Sequence, residues 1–228
     1  MSTVHRSTLI LNAAIGNTMA ERLMDLGDLP SSRIRMDPPP GTADLDDVIR
    51  ANDHSDRICE WVDRTLVEKA VGWQESLLAM VLGRWLGNFL ESNDLGAVIG
   101  PDGMYRIFAD TARAPDISFI SWERLPDGRL PTEPVPAVVP DFAIEILSIG
   151  NTRSEMARKR REYFHAGVRL LWIVDPRARS VAIFTASDQY TVVDENATID
   201  GGSVLPGWSV DLSKLFAELD RRAPDARS

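Results

Sequence analysis

Residues 139–175 constrain the fold more than any other stretch, because they read strand, helix, strand at the spacing of a single crossover. "VPDFAIEILS" alternates like a buried strand, "SEMARKRREYFHA" has the three- and four-residue steps of a helix, and "RLLWIVD" is a second apolar strand. Two strands joined through a helix lie parallel, with a right-handed connection. The chain is therefore expected to hold a mixed sheet with this helix laid across it.

Inside the first strand stands an acid that water should not reach. Alternation puts Asp141, Ala143, Glu145 and Leu147 on one face, with Phe142, Ile144 and Ile146 on the other. A buried carboxylate must be protonated, paired with a cation or bound to a metal, and a salt bridge to an arginine of the following helix would satisfy it as well as a metal would. On that helix Met156, Lys159 and Tyr163 follow in steps of three and four, so Lys159 borders the sheet-facing stripe and Arg160 borders its other side. Lysine is scarce here, with Lys69, Lys159 and Lys214 against twenty-two arginines. Periodicity does not choose between Lys159 and Arg160. A compact, tunable ammonium suits holding a water, whereas arginine suits bidentate phosphate contacts, and an ordinary helix-surface pair of Glu155 with Lys159 is the alternative.

Two more acids stand in related settings. Asp116, in "APDISFIS", opens an apolar strand after a proline, as Asp141 does after Pro140. Acids from neighbouring strands can converge on one hard cation such as Mg²⁺, which needs few carboxylates beside its waters and phosphate oxygens; taken singly, an Asp after Pro merely ends a turn. Glu75 lies in the first turn of the helix predicted for "GWQESLLAMVLGRWLGNFLES", where helix-dipole pairing is the commoner reason for an acid.

Around this centre the chain reads as one main domain, residues 56–220, behind a helical arm, 1–55, and ahead of a tail, 221–228, expected to be disordered. The arm has a short helix over 18–27, then a proline stop and a second helix capped by Thr42. "RICEWVDRTLVEK" predicts a hairpin about Asp63 and Arg64, although such turns favour glycine at the second position. Leu77, Leu78, Val81, Leu82, Trp85, Leu86 and Leu90 give the long helix a broad apolar face that should lie on the sheet. "GAVIG" and "MYRIFA" add strands, "SVAIFTA" and "QYTVVDE" look antiparallel and edge-like, and "DLSKLFAEL" is a closing helix. The six tryptophans read as core residues, and Cys59 as a small buried one.

Charge and composition exclude several classes. The net charge of −9 argues against indiscriminate nucleic-acid binding, yet residues 153–169 carry six basic side chains against two acids, an anion-facing patch in which Arg153, Arg158, Arg160 and Arg161 are candidate phosphate contacts. One cysteine allows no intrachain disulfide and fits a reducing cytoplasm. The run "STLILNAAIG" lacks the charged start and cleavage site of a signal peptide, and no apolar run approaches the roughly 20 residues of a membrane helix. Scattered His5, His54 and His165, with neither HExxH nor a glycine-rich phosphate loop, speak against zinc proteases, triad hydrolases and the common nucleotide folds.

The order helix, Asp strand, Glu strand, Lys helix, strand resembles a large bacterial endonuclease family, a domain of unknown function with the restriction-endonuclease-like PD-(D/E)xK fold. The likeness runs from "CEWVDRTLVEK" through "PDGMYRIFADTARAPDISFISWERLP" and the Glu145–Lys159 block to "GGSVLPGWSVDLSKLFAEL". It implies Asp116 and Glu145 as the two motif acids, with Glu75 as the helix acid that some members add. The motif lysine would fall at position 147, where Leu147 stands, and the resemblance implies that Lys159 supplies the ammonium from the next helix. Arg64 replaces the glycine of the family hairpin.

The expectation is thus an α/β restriction-endonuclease-like core that hydrolyses DNA, with Mg²⁺, or Mn²⁺ in its place, held by Asp116, Glu145, Glu75 and the carbonyl of Ile146. Lys159 would place the water, and Asp141 and Arg160 are secondary candidates. A homodimer would suit the cutting of two strands. The rivals are a catalytically inactive nucleic-acid- or protein-binding module on the same fold, and a hydrolase of small phosphoesters.

Overall fold

The computed structural model describes residues 18–54 and 57–222; the "STLILNAAIG" run and most of the predicted tail lie outside the described residues. The chain runs α1 (Met19–Asp25), α2 (Leu45–His54), β1 (Cys59–Val62), β2 (Thr65–Glu68), α3 (Trp73–Ser92), β3 (Gly96–Ile99), β4 (Tyr105–Phe108), β5 (Thr111–Arg113) and β6 (Ile117–Ser121). It continues through β7 (Phe142–Ile146), α4 (Arg153–Ala166), β8 (Leu170–Asp175), β9 (Ser180–Phe184), β10 (Tyr190–Asp194), β11 (Thr198–Gly201), β12 (Leu205–Asp211) and α5 (Leu212–Ala217). The main sheet has the order β10-β9-β8-β7-β6-β3; β7 and β8 are parallel and every other neighbour is antiparallel. A second sheet, β2-β1-β5-β4, and the β11–β12 hairpin complete the mixed α/β fold.

The predicted crossover is the β7–α4–β8 unit, and the side-chain alternation that predicted it also decides what each face meets. Phe142, Ile144 and Ile146 join Trp172 of β8 in the main core, against Leu78, Leu82 and Leu86 of α3 and Leu215 and Phe216 of α5. Trp208 of β12 stacks on Trp172 at 5.2 Å. Ala143 and Leu171 face the other way, onto Tyr163 and Val168 at the α4 end of the crossover. Each fully buried Leu or Phe contributes about 1.5–3 kcal/mol, so the α3 face supplies most of the apolar driving force. The α4 face has room for charge.

Local signals set the edges of these elements. Thr152 caps α4: its hydroxyl accepts from the Glu155 N–H while the Glu155 carboxylate accepts from the Thr152 N–H, and Gly167, at φ 111°, ends the helix in the left-handed conformation. Three local readings change. Asp44 rather than Thr42 caps α2, exchanging backbone-to-carboxylate bonds with Asp47, while the Thr42 hydroxyl is spent on the carbonyl of Pro39. Strand β5 is too short, and the β11–β12 hairpin too rich in glycine with Pro206 in its second strand, for either to have been read as strand. Finally, β9 is an interior strand, and of the β9–β10 pair only β10 lies at an edge.

The hairpin of β1 and β2 forms without glycine. Asp63 and Arg64 both take positive φ, 46° and 57°, as a two-residue turn of this kind requires. The strain is offset by partners: the Arg64 carbonyl accepts from Gly41 and Ala43, its N–H donates to Asp110, and Asp63 pairs with Arg158 of α4 at 2.8 Å.

The segment before β1 is bound into this framework. Leu26, Leu29 and Ile34 cover Val62 and Val67, Val48 of α2 packs with Trp61 and Ala112, and Arg33 forms a two-pronged bond to Glu155 at 2.8 and 2.9 Å. Gly27 permits the approach: its φ is 100°, and a Cβ there would lie 2.6 Å from the Glu155 backbone. Gly27→Ala should therefore cost about 2–4 kcal/mol in urea unfolding, from left-handed strain together with overpacking. A loss below about 0.5 kcal/mol, the level of an indifferent surface change, would contradict this docking.

Candidate active site

Glu145 sits at the C-terminal end of β7 on the α4 face, and α4 brings two groups to it. Lys159 Nζ lies 3.3 and 3.2 Å from its two carboxylate oxygens, and the Tyr163 hydroxyl donates to Oε1 at 2.6 Å. Both come from the stripe that includes Met156, which is the buried side of the helix. Arg160 points elsewhere, with its guanidinium 4.9 Å over the Phe184 ring, so the choice left open by periodicity falls on Lys159.

Asp116 closes the site from the neighbouring strand. It precedes β6; its Oδ2 accepts the Ile146 N–H at 2.7 Å, which fixes it beside the last peptide of β7, and its Oδ1 accepts from Lys69 Nζ at 3.0 Å. Its side chain is 16% exposed, whereas Glu145 and Lys159 are buried, so Asp116 is the opening of the pair toward solvent.

Behind Lys159 lies a second acid. Glu60, buried mid-strand in β1, stands 3.0 Å from Lys159 Nζ, accepts the Ala114 N–H and pairs with Arg113 at 2.8 Å. Arg113 reaches on to Glu162, which pairs with Arg158, which pairs with Asp63 of the hairpin. Opposite charges thus alternate from the small sheet to α4 and β7. Sequence reading missed Glu60, Lys69 and Arg113. For Glu60 the signal was available, since an acid within "ICEWV" is as anomalous as Glu145 within "FAIEI".

The titration behaviour follows from this crowding. Burial would raise the Glu60 carboxyl, but Lys159 and then Arg113 outweigh it and hold it down to about 2. Glu145 goes the other way: burial pushes it up, Lys159 opposes, and the nearby Asp116 and Glu60 push it further. Lys159 stays charged, because Glu145 and Glu60 more than compensate its desolvation. Tyr163 is driven well above its ordinary value by burial and by Glu145, so it remains a donor. Glu145 is therefore the acid most in need of an added cation.

The remaining candidates divide. Glu75 stays in the first turn of α3, its carboxylate folded back so closely that a Cβ on Gly72 would lie 2.1 Å from Oε2. The described residues contain no group of three or more acids, His or Cys able to hold a metal, so Glu75 does not join Asp116 and Glu145. Asp141, at the other end of β7, accepts the Ser121 N–H and pairs with Arg124 and Arg169, which ties strands together away from the site. Of the basic patch, Arg158 is committed to Glu162 and Asp63, while Arg153 and Arg161 are exposed. No described helix is long and apolar enough to cross a membrane.

Removing the Glu60 charge breaks two buried ion pairs and leaves Lys159 with Glu145 alone and Arg113 with Glu162 alone, so Glu60→Gln should lower stability by about 3–5 kcal/mol near neutral pH. Because the folded-state value is depressed from 4.5 to about 2, the Glu60 contribution is complete above pH 4.5 and is lost as pH falls toward 2. Urea unfolding of both proteins across that window should show their difference shrinking. A difference independent of pH would mean that Glu60 is not ionised in the folded protein.

Comparison with known proteins agrees with this architecture. The sequence matches the model of the family described as "Uma2: Putative restriction endonuclease" over residues 44–213. No curated protein matches the chain. Among solved structures, a protein from Anabaena variabilis described as "a putative nuclease belonging to DUF820" superposes with a TM-score of 0.65 at 19% identity, covering 72% of this chain and 93% of that one, a likeness of fold. The family match takes in Glu60, Lys69, Arg113, Asp116, Glu145 and Lys159, from the start of α2 to the start of α5, and by that extent the chain belongs to the Uma2 family.

Proposed function

We propose that the protein is a metal-dependent endonuclease that hydrolyses phosphodiester bonds of DNA. The observation that carries this reading is the delivery of Lys159 from α4 to within 3.2 Å of Glu145, which restores an ammonium where Leu147 removes the motif lysine. Family membership supports nuclease chemistry in general.

The donor set fits Mg²⁺, or Mn²⁺ in its place. Asp116, just ahead of β6, and Glu145 in β7 offer hard carboxylate oxygens, the first held on the Ile146 N–H, and the Ile146 carbonyl would be the third donor; such cations take one or two carboxylates and complete their shell with water and phosphate. A cation held there would supply a water of lowered pKa and positive charge for the developing phosphorane. The protein's own groups do the rest. Lys159, anchored by Glu60, keeps its ammonium beside Glu145 and can orient the attacking water; Tyr163 fixes the Glu145 carboxylate, limiting its rotation.

One observation favours a second reading, a binding module without catalysis. Asp116 is already paired with Lys69, and Glu145 and Glu60 with Lys159 and Arg113, so the charges are balanced by the chain itself.

Cleavage of supercoiled and single-stranded circular DNA with Mg²⁺ or Mn²⁺ separates the two. Wild type should cut and a chelator should stop it; Glu145→Gln and Lys159→Ala, assayed at a temperature where circular dichroism shows each still folded, should each lower the rate at least about a hundredfold. Folded wild type that cuts neither DNA with metal supplied would defeat the hydrolytic reading, and retained DNA binding would then favour the module. Turnover of a small phosphodiester alone would move the substrate, not the site.

A further inference from the structure

Beside the acids lies a cleft of about 490 Å³, bounded by the N-terminal turn of α3, the segment after β7 and the end of β2. It adjoins the site through two of its lining residues: Lys69, whose ammonium holds Asp116, and Ser148, three residues beyond Glu145. Its cationic lining residues are Arg33, Arg57, Lys69 and Arg177, against the single acid Glu75, in a chain whose total is −9. Arg33 is committed to Glu155, so the cations at the rim are Arg57 and Arg177, with side chains 65% and 58% exposed in ion pairs to Glu68 and Asp175. Exposed pairs of this kind contribute little, about 0–1 kcal/mol, so a phosphate can compete for them.

The rim is also apolar where water reaches it. Trp73 is 88% exposed and Ile149 87%, with exposed Val71 beside them. This corrects the reading of all six tryptophans as core: Trp61, Trp172 and Trp208 are buried, Trp85 and Trp122 half-buried, and Trp73 stands in solvent. A large aromatic ring exposed among apolar neighbours and flanked by arginines combines the two features that bind unpaired nucleic acid: a face on which a base can stack and cations along the backbone.

We infer that this cleft binds an unpaired DNA strand, with Trp73 as the stacking platform and Arg57 and Arg177 on the phosphates, and leads that strand to Asp116 and Glu145. The inference rests on the nuclease reading for what happens at the acids, but binding in the cleft does not require it. Two features favour a single strand over a duplex. A ring can stack only on a base face that a neighbouring base has left free, and a volume within the roughly 300–1,000 Å³ of small-ligand pockets admits a nucleotide or two, not a double helix.

The test is fluorescence anisotropy in EDTA, with a labelled 15-nucleotide thymidine strand and a 15-base-pair duplex of mixed sequence as probes, on wild type, Trp73→Ala and Trp73→Phe. Wild type should prefer the single strand. Trp73→Ala should weaken that binding about 5- to 100-fold, the range of base stacking on an aromatic side chain, while Trp73→Phe retains most of it and duplex affinity changes less than about twofold. Unchanged single-strand affinity in Trp73→Ala, or equal losses on both probes, would overturn the inference. So would sedimentation showing a wild-type dimer that Trp73→Ala dissociates, which would give the rim to a second copy of the chain. Because the assay contains no metal, its outcome is separate from cleavage. Trp73-dependent binding without cleavage would leave the cleft standing and remove the nuclease reading, and cleavage with indifferent Trp73 variants would do the reverse.

Discussion

Lys159 carries its charge where water does not reach, and it can do so because Glu60 and Glu145 stand 3.0 and 3.2 Å away, one from each sheet. An ammonium so placed without partners would lose its proton or unfold the region around it. The requirement acts in both directions. Glu60 and Glu145 are equally unable to stand alone, so the small sheet, the main sheet and α4 must adopt one relative arrangement for all three charges to be met. The remaining pairs, Arg113 with Glu60 and Glu162, then Arg158 with Asp63, extend the same condition to the first hairpin.

Such a network is a poor source of net stability, since desolvation cancels much of the attraction between buried ions. Its value here lies in placement. The apolar face of β7, packed on α3 and α5, holds the molecule together, while the opposite face gives up hydrophobic burial to fix Lys159 and Tyr163 against Glu145. One strand therefore divides two tasks between its alternating side chains. Asp116, joined to the Ile146 N–H, is the point beside Glu145 at which the charged layer meets solvent.

Much of this was legible in the sequence because it depended on local periodicity. Alternation in "PDFAIEILS" foretold both faces of β7, and three- and four-residue steps put Met156, Lys159 and Tyr163 on one stripe of α4 with Arg160 at its other border. What escaped depended on long-range partners. Glu60 is eighty-five positions from Glu145, and only the folded sheets bring both to one lysine. Arg160 and Lys159 are adjacent in sequence and equivalent by period, and the Phe184 ring decides between them. Asp44 took the cap expected of Thr42 because Asp47 answered it, and the β11–β12 pair hid behind glycines and Pro206. Trp73 looked like core because a helix start resembles a helix interior when read as residue types alone.

The clasp between Arg33 and Glu155 joins residues 122 positions apart, and it seats the first turn of α4. Contacts of such separation close late, because the chain must first surrender the entropy of a long loop. During synthesis the early segment emerges well before the helix it will hold, and it has to wait for α4 before it finds Glu155. The clasp can therefore close only after residue 155 has been made, whereas Lys159 and Tyr163 lie within 18 positions of Glu145 and can meet it without waiting for any segment beyond α4.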